Sequence, residues 1–186
     1  VELHPEHPEF GTRKVTFSRE LYVEQDDFMA EPVKKYFRLF PGNEVRFKSA
    51  YFIKCNSYDT DENGNVTCLH CTYDPESRGG NSPDGRKVKG TIHWVNANDC
   101  KQCEVRLYDR LFSAEEPGKN GDYFDDLNPD SLEVIENCLL EGGFENAKPG
   151  DTFQFMRNGY FCVDKDSTED KLVFNRTVAL NSSWGK

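Results

Sequence analysis

The sequence predicts an all-β fold of one or two β-barrels, and three observations support this prediction. Short runs rich in aromatic and β-branched residues recur at close spacing along the 186 residues. Asn-Gly pairs at Asn63-Gly64 and Asn158-Gly159 lie between such runs, and this dipeptide is typical of tight hairpin turns. Few windows show the helical periodicity of about 3.6 residues. The length is sufficient for one domain or two small ones.

The first part of the chain predicts two strands with turns around them. RKVTF (13–17) alternates in hydrophobicity well enough for one strand. A short strand, a possible helical turn near residues 26–29 and a Pro-Gly turn at residues 41–42 come next. This part of the chain therefore predicts strands joined by short connections.

The middle of the chain predicts a hairpin and two further strands. Residues 46–58 have strand composition and are expected to pair with residues 65–74 across the first Asn-Gly turn. KVKGTIHWV (87–95) and EVRLYDRLF (104–112) are predicted strands on either side of a short connection. The polar stretch near residues 114–130 is the best candidate for a crossing between two barrels.

The last part of the chain, residues 153–178, predicts a second hairpin. FQFMR and YFCVD are expected to fold back on each other across the second Asn-Gly turn, and LVFNRTV adds another strand. Four polar side chains lie among these apolar residues, where a plain core does not need them: Gln154, Arg157, Asn175 and Arg176. A rigid hairpin that presents Gln and Arg is more typical of a recognition element than of a catalytic one.

Composition limits the classes of function. A net charge of −10 argues against indiscriminate binding to nucleic acid, but it leaves open RNA binding through local basic patches. No run of about 18 apolar residues is present, so we expect no membrane-spanning segment. Seven cysteines without a secretory signal predict reduced thiols in a cytoplasmic protein. The chain begins at Val1 rather than Met, and we expect it to be a fragment of a longer protein.

A basic loop, SRGGNSPDGRKVKG (77–90), is one candidate binding element. It carries four cations among flexible and turn residues: Arg78, Arg86, Lys87 and Lys89. Backbone amides and cations in such a loop suit the phosphate backbone of a nucleic acid. The alternative is a solvated hairpin loop with ordinary surface charge, and the loop fits no Walker-type phosphate pattern.

Gln154 and Arg157 are candidates for reading a base edge. Their paired donors and acceptors suit the edges of unstacked RNA bases. Residues three apart on an ideal strand face opposite sides of the sheet. The two side chains can therefore converge only where the hairpin twists or bulges, and a structural role is as plausible from the residues alone.

Metal binding is the main alternative. Cys68 with Cys71 and Cys100 with Cys103 form two CxxC pairs, and four thiolates make a structural zinc site. The gap between the two pairs is longer than the usual spacing in a zinc ribbon. The first pair also lies in a predicted strand, whose alternation would point its two thiols to opposite faces. The remaining cysteines, at positions 55, 138 and 162, are predicted to be small core residues. No arrangement of residues typical of an active site stands out.

Several long segments resemble one known family. In the family's order, they resemble the C-terminal anticodon-binding region of class I glutaminyl-tRNA synthetases: FGTRKVTFSRELY, RLFPGNEVRFKSAYFIKC, CTYDPE, DGRKVKGTIHWV, EVRLYDRLF, LNPDSLEV, FQFMRNGYFCVDKDST and KLVFNRTV. The resemblance covers most of residues 4–180. The HIGH and KMSKS signatures of the catalytic domain are absent, as expected of a fragment that follows this domain.

The resemblance implies two barrels similar to the ribosomal protein L25 fold. One would comprise residues 1–21 and 122–186, and the other residues 22–121. It implies binding to the anticodon loop of glutamine tRNA, with Arg13, Gln154 and Arg157 around the central uridine. The four cations of the basic loop would flank the other anticodon bases and the backbone.

The parent protein would be a glutamine–tRNA ligase whose absent catalytic domain uses ATP and magnesium. This region itself would have no catalytic residue, cofactor or metal. Its partners would be glutamine tRNA and the catalytic domain of the same chain. The alternative is a zinc-stabilised β domain that binds protein.

Overall fold

Strands make up nearly all of the regular structure in the residues that this computed structural model describes, which are 1–4, 6–82 and 84–180. The helical segments within these ranges are short 3-10 turns at Pro8–Phe10, Gln25–Asp27, Pro75–Gly80 and Tyr123–Asp126. None of them is long and apolar enough to cross a membrane. The chain divides into unit 1, Val1–Asp99, and unit 2, which begins at Cys100. The all-β prediction is confirmed.

Unit 1 contains a four-stranded sheet and a separate two-stranded sheet. The sheet has the order β4-β3-β2-β5, in which β2 and β5 run parallel and the other pairs run antiparallel. Strands β1 and β6 form the two-stranded sheet and run antiparallel. The strands are β1 (Leu21–Tyr22), β2 (Glu44–Phe47), β3 (Phe52–Thr60), β4 (Val66–Asp74), β5 (Thr91–Ile92) and β6 (Val95–Asn96).

The predicted strand at 46–58 is interrupted by a turn between β2 and β3. Ser49 adopts a positive φ of 59°, and the Ala50 amide donates to the Phe47 carbonyl at 3.0 Å. The Trp94 indole Nε1 donates to the Lys48 carbonyl at 3.0 Å. No Gly or Pro marks this turn in the sequence, which explains why composition alone predicted one continuous strand.

The predicted strand at 13–17 is also wrong. These residues form no regular strand, although Val15 and Phe17 pack against the core of unit 1. The Thr16 hydroxyl donates to the Asp99 carboxylate at 2.6 Å. The hydrophobic alternation correctly predicted that Val15 and Phe17 are partly buried, but the backbone of residues 13–17 forms no strand of a sheet.

The hairpin of β3 and β4 confirms the prediction at the first Asn-Gly pair. Gly64 takes a φ of 84°, which glycine adopts without steric cost. The Asp61 carboxylate accepts hydrogen bonds from the Asn63 and Asn65 amides at 2.9 and 2.8 Å. Hydrogen bonds from the Asn65 side chain and backbone hold the pKa of Asp61 below its usual value. Turn chemistry thus fixes the end of this hairpin.

Unit 2 contains a five-stranded sheet of order β8-β7-β11-β10-β9. Strands β7 and β11 run parallel, and the other neighbours run antiparallel. The β9–β10 hairpin and the added strand β11 confirm the prediction for residues 153–178, whereas β8 was not predicted. The strands are β7 (Lys101–Tyr108), β8 (Leu132–Leu140), β9 (Thr152–Phe155), β10 (Gly159–Val163) and β11 (Leu172–Val178).

The two main sheets are open in the described part of the chain, because the order of hydrogen-bonded strands is linear in each. Strand β7 pairs with β8 and β11, although the predicted domain division assigned it to residues 22–121. The boundaries at 1–21, 22–121 and 122–186 remain a prediction. The likeness to the ribosomal L25 fold also remains a prediction.

Candidate nucleic-acid interface

The β9–β10 hairpin turns apolar rings inward and polar groups outward. Phe153 and Phe155 of β9 pack against the core of unit 2, and the Phe155 ring stacks on Phe161 with centroids 4.4 Å apart. Gln154, between them, is exposed and lies opposite Tyr160 in the strand register. Strand alternation therefore presents the Gln154 amide to solvent from a backbone that the aromatic core holds in place.

The tight turn of this hairpin differs from the predicted one. Met156, Arg157 and Asn158 form the loop, and the Asn158 amide donates to the Phe155 carbonyl at 2.9 Å. Arg157 takes the positive φ, at 71°, in the left-handed region that non-glycine residues seldom adopt. Gly159 instead pairs with Phe155 across the ladder. Positive-φ residues of this kind cluster at functional sites, which makes Arg157 the more notable residue of the turn.

Gly159, the first residue of β10, also takes a positive φ, at 135°, and close packing is a second reason for a glycine here. A Cβ atom on Gly159 would lie 2.4 Å from the Val178 carbonyl oxygen. The Asn-Gly pair therefore predicted the hairpin and a positive φ at Gly159 correctly, but the second positive φ falls at Arg157 rather than at Asn158.

The position of Arg157 in the turn changes the relation between the two hairpin residues. On one regular strand, Gln154 and Arg157 would face opposite sides of the sheet, and this alternation argued against a shared site for them. Gln154 follows it, but Arg157 lies beyond the end of β9. Arg13 belongs to unit 1, is half-buried, and exchanges backbone hydrogen bonds with Val1 at 2.7 and 2.8 Å. The three-residue pocket stays a prediction.

In the basic loop, Arg86 is held by carboxylates of the protein. Its guanidinium contacts Glu44 at 2.9 and 3.0 Å, Asp74 at 2.6 Å and Asp84 at 2.7 Å. These hydrogen bonds, those to Glu44 first, raise the pKa of Arg86 above its usual value. The guanidinium also lies over the buried Phe52 ring, 4.9 Å from its centroid. In this arrangement Arg86 anchors the loop, and sequence reasoning missed that role because Glu44 is distant along the chain.

The other cations of the loop differ in how accessible their charges are to a binding partner. Arg78 and Lys87 are exposed, and neither side chain has a hydrogen bond or ion pair within residues 1–4, 6–82 and 84–180. The exposed Lys89 ammonium lies 5.0 Å from the centroid of the Phe37 ring. Next to it, a Cβ on Gly90 would lie 1.9 Å from the Phe37 carbonyl oxygen, so only glycine fits this approach. The end of the loop is therefore packed tightly, while Arg78 and Lys87 point charge at solvent.

Acidification is expected to release the loop. Hydrogen bonds from the Ser82 hydroxyl, and then from the Arg86 amide and guanidinium, lower the pKa of Asp84 to about 2. Because this pKa is below that of the unfolded chain, the stabilisation is complete above about pH 4 and is lost as the pH falls towards 2. In Asp84→Asn, thermal unfolding followed between pH 5 and 2 should show a shallower loss of stability than in wild type. Identical slopes would contradict this ion-pair assignment.

The structure gives no support to a four-thiolate zinc site. Cys71 lies opposite Cys55; although the residue is exposed, desolvation of its thiol, followed by the neighbouring Cys55 thiol, raises the pKa of Cys71 to about 12. Cys103 is buried in the core of unit 2, where desolvation raises its thiol pKa to about 12. The four CxxC cysteines do not come together as one metal-binding cluster in the described ranges. Of the predicted core cysteines, Cys55 is buried, and Cys138 and Cys162 are half-buried.

Two family models match this chain, and both are described as the anticodon-binding domain of class I (E and Q) tRNA synthetases. One matches residues 1–74 and the other residues 91–164. Together the two ranges take in most of the chain.

Curated relatives are similar over nearly the whole chain. A glutamine–tRNA ligase of Bradyrhizobium diazoefficiens is 51% identical over 98% of this chain. Those of Clostridium perfringens and Clostridioides difficile are 53% and 54% identical over 99% and 94% of it. The aligned regions make up 33%, 34% and 32% of the three relatives. The chain thus spans about a third of the length of the curated relatives it matches.

Proposed function

Because the chain belongs to the family of anticodon-binding domains of class I (E and Q) tRNA synthetases, we propose that it reads the anticodon of glutamine tRNA for a glutamine–tRNA ligase. The observation that carries the proposal is the β9–β10 hairpin, which exposes Gln154 from an aromatic core and holds Arg157 at its turn. Similarity to the glutamine–tRNA ligases favours the glutamine tRNA over the glutamate one.

The chemistry of these two side chains suits a central uridine. The Watson–Crick edge of uridine presents two carbonyl acceptors on either side of one N–H donor. A guanidinium supplies only donors, and a carboxamide supplies both a donor and an acceptor. Cytidine places an amino donor where uridine has O4, so an arginine donor there would lose its partner. Gln154 and Arg157, with Arg13 as a third proposed member, would therefore discriminate by leaving buried groups unpaired for a wrong base.

The basic loop would position the anticodon without reading it. Arg78 and Lys87 offer exposed cations suited to phosphate oxygens, and Lys89 offers a third over Phe37. Arg86, which pairs with the carboxylates of Glu44, Asp74 and Asp84, would act mainly by stabilising the conformation of the loop. An acidic chain can bind RNA in this way because a local cluster of cations sets the field at the site.

In the whole protein, this region would supply specificity and the catalytic domain of the same chain would supply the chemistry. That domain would activate glutamine with ATP and magnesium and transfer it to the tRNA end. The partners of this region would be the glutamine tRNA and that domain, and the location would be the cytoplasm.

The proposal is tested by titrating this chain with anticodon stem-loops that differ only at the central base. We expect the uridine stem-loop to bind most tightly, with each substituted base costing about 1–3 kcal/mol. Equal binding of all four stem-loops would contradict base reading by this domain.

Lys87→Ala should weaken binding to every stem-loop by a similar factor. The lysine is proposed to contact phosphate, so its loss should also reduce the slope of log K against log salt by about 1. Titrations between low and moderate salt measure this slope. Lys119→Ala, which removes a cation paired with Glu116 at 2.7 Å, is the matched control and should leave it unchanged. A change in base preference in Lys87→Ala would contradict a purely positioning role.

A further inference from the structure

The outer half of the β3–β4 hairpin carries a group of side chains that are not among the proposed anticodon contacts. Strand β2 pairs with β3 only as far as Lys54, so the hairpin continues beyond it as a two-stranded ribbon. On this ribbon Asp59 lies directly opposite Cys68, and His70 follows two residues along β4. All three residues are exposed. The ribbon therefore presents oxygen, sulfur and nitrogen donors to solvent.

The donor atoms already lie close together. His70 Nε2 and the Asp59 carboxylate oxygen are 2.7 Å apart. One ligand atom from each of Asp59, Cys68 and His70 lies within 4.8 Å of the others. Two irregularities in register, between Cys55 and Ser57 and between Asp59 and Thr60, flank the site. Bulges of this kind redirect side chains, and here the three donors meet between them.

We propose that this ribbon binds one divalent transition-metal ion of the zinc class through Asp59, Cys68 and His70. A thiolate, an imidazole and a carboxylate are all ligands of Zn²⁺, at about 2.0–2.3 Å. Three protein ligands leave a fourth tetrahedral position for water. Mg²⁺ and Ca²⁺ are disfavoured because they prefer sets of oxygen ligands.

Cys68 is the appropriate thiol, and Cys71 is not. Cys68 and His70 are two apart on β4, so their side chains share one face of the ribbon. Cys71 points to the other face, where it meets Cys55. The site thus uses one cysteine of the first CxxC pair and takes its other ligands from residues outside the motif.

The ion would be bound by exposed side chains, and the core of unit 1 does not depend on it. The core cluster of this unit consists of Leu39, Val45, Phe47, Ala50, Ile53, Cys55, Ile92 and Trp94. None of the three ligands belongs to this cluster. Metal removal is therefore expected to leave unit 1 folded, in contrast to a structural zinc domain.

Cobalt provides the direct test, because Co²⁺ occupies zinc sites and a bound thiolate gives it a near-ultraviolet charge-transfer band. We expect one Co²⁺ per chain with this band, and its displacement by Zn²⁺. Cys68→Ser should abolish the band, and His70→Gln should weaken Co²⁺ binding at least about tenfold. Cys71→Ser is the matched control and should retain the wild-type band. Circular dichroism checks that each variant and the metal-free protein keep the wild-type fold.

Three results would overturn the proposal. They are the absence of a thiolate band at saturating Co²⁺, a band that survives in Cys68→Ser, or loss of the β-sheet signal when metal is removed. Each is independent of RNA binding, so the outcome does not depend on the proposed function.

Discussion

Arg157→Ala is expected to flatten discrimination at the central anticodon base. The variant removes the guanidinium of Arg157, whose backbone takes a left-handed conformation in the hairpin turn, with a φ of 71°. A good bidentate contact contributes about 1–3 kcal/mol of discrimination, which corresponds to roughly 5- to 150-fold between uridine and another base. Titration of wild type and variant with the four central-base stem-loops measures this ratio.

The control for Arg157→Ala is Arg110→Ala, which removes an exposed arginine elsewhere in unit 2. It should keep the wild-type preference, because charge loss alone does not alter base reading. If Arg157→Ala binds all stem-loops more weakly but keeps the full preference for uridine, then Arg157 contacts phosphate and the proposed pocket is wrong.

Phe174→Ala is expected to reduce the free energy of unfolding of unit 2 by about 3–5 kcal/mol. The Phe174 side chain is fully buried, at 0% exposure. Its ring packs edge-on against Phe144 and Phe155, with centroids 6.0 and 5.1 Å away. The cavity left by alanine would lie directly beneath β9. Hydrogen exchange of the β10 and β11 amides reports the stability of unit 2 separately from unit 1.

Phe124→Ala provides the comparison within the same unit. The Phe124 side chain is 59% exposed, so its truncation should cost far less than the loss of Phe174. Similar losses in the two variants would mean that the cluster around Phe174 does not dominate the stability of this unit.

Local sequence signals predicted the hairpins well because turn chemistry acts over a few residues. The first Asn-Gly pair lies in the β3–β4 loop, where Gly64 takes a positive φ as expected. The second Asn-Gly pair identified the β9–β10 hairpin but not its loop. Interruptions without Gly or Pro, such as the turn at Ser49, gave no local signal and were missed.

The candidate site was predicted unevenly for the same reason. Gln154 was recognised as a polar residue within an aromatic run, and it is exposed as a recognition residue requires. Arg86 was grouped with the other loop cations, because nothing near it in sequence indicates Glu44 as its partner. The cluster of Asp59, Cys68 and His70 was missed because its members come together only through cross-strand register.

The sequence by itself determined the all-β class, the two hairpins and the family, since these depend on local turn chemistry and on long matching segments. Only the tertiary structure decided which strands share a sheet, which cations face solvent and which thiols are buried. Those properties depend on contacts between residues far apart in the chain, such as β7 with β11 and Glu44 with Arg86. Periodicity and composition contain no record of such contacts, because burial and charge neutralisation are set by the folded chain as a whole.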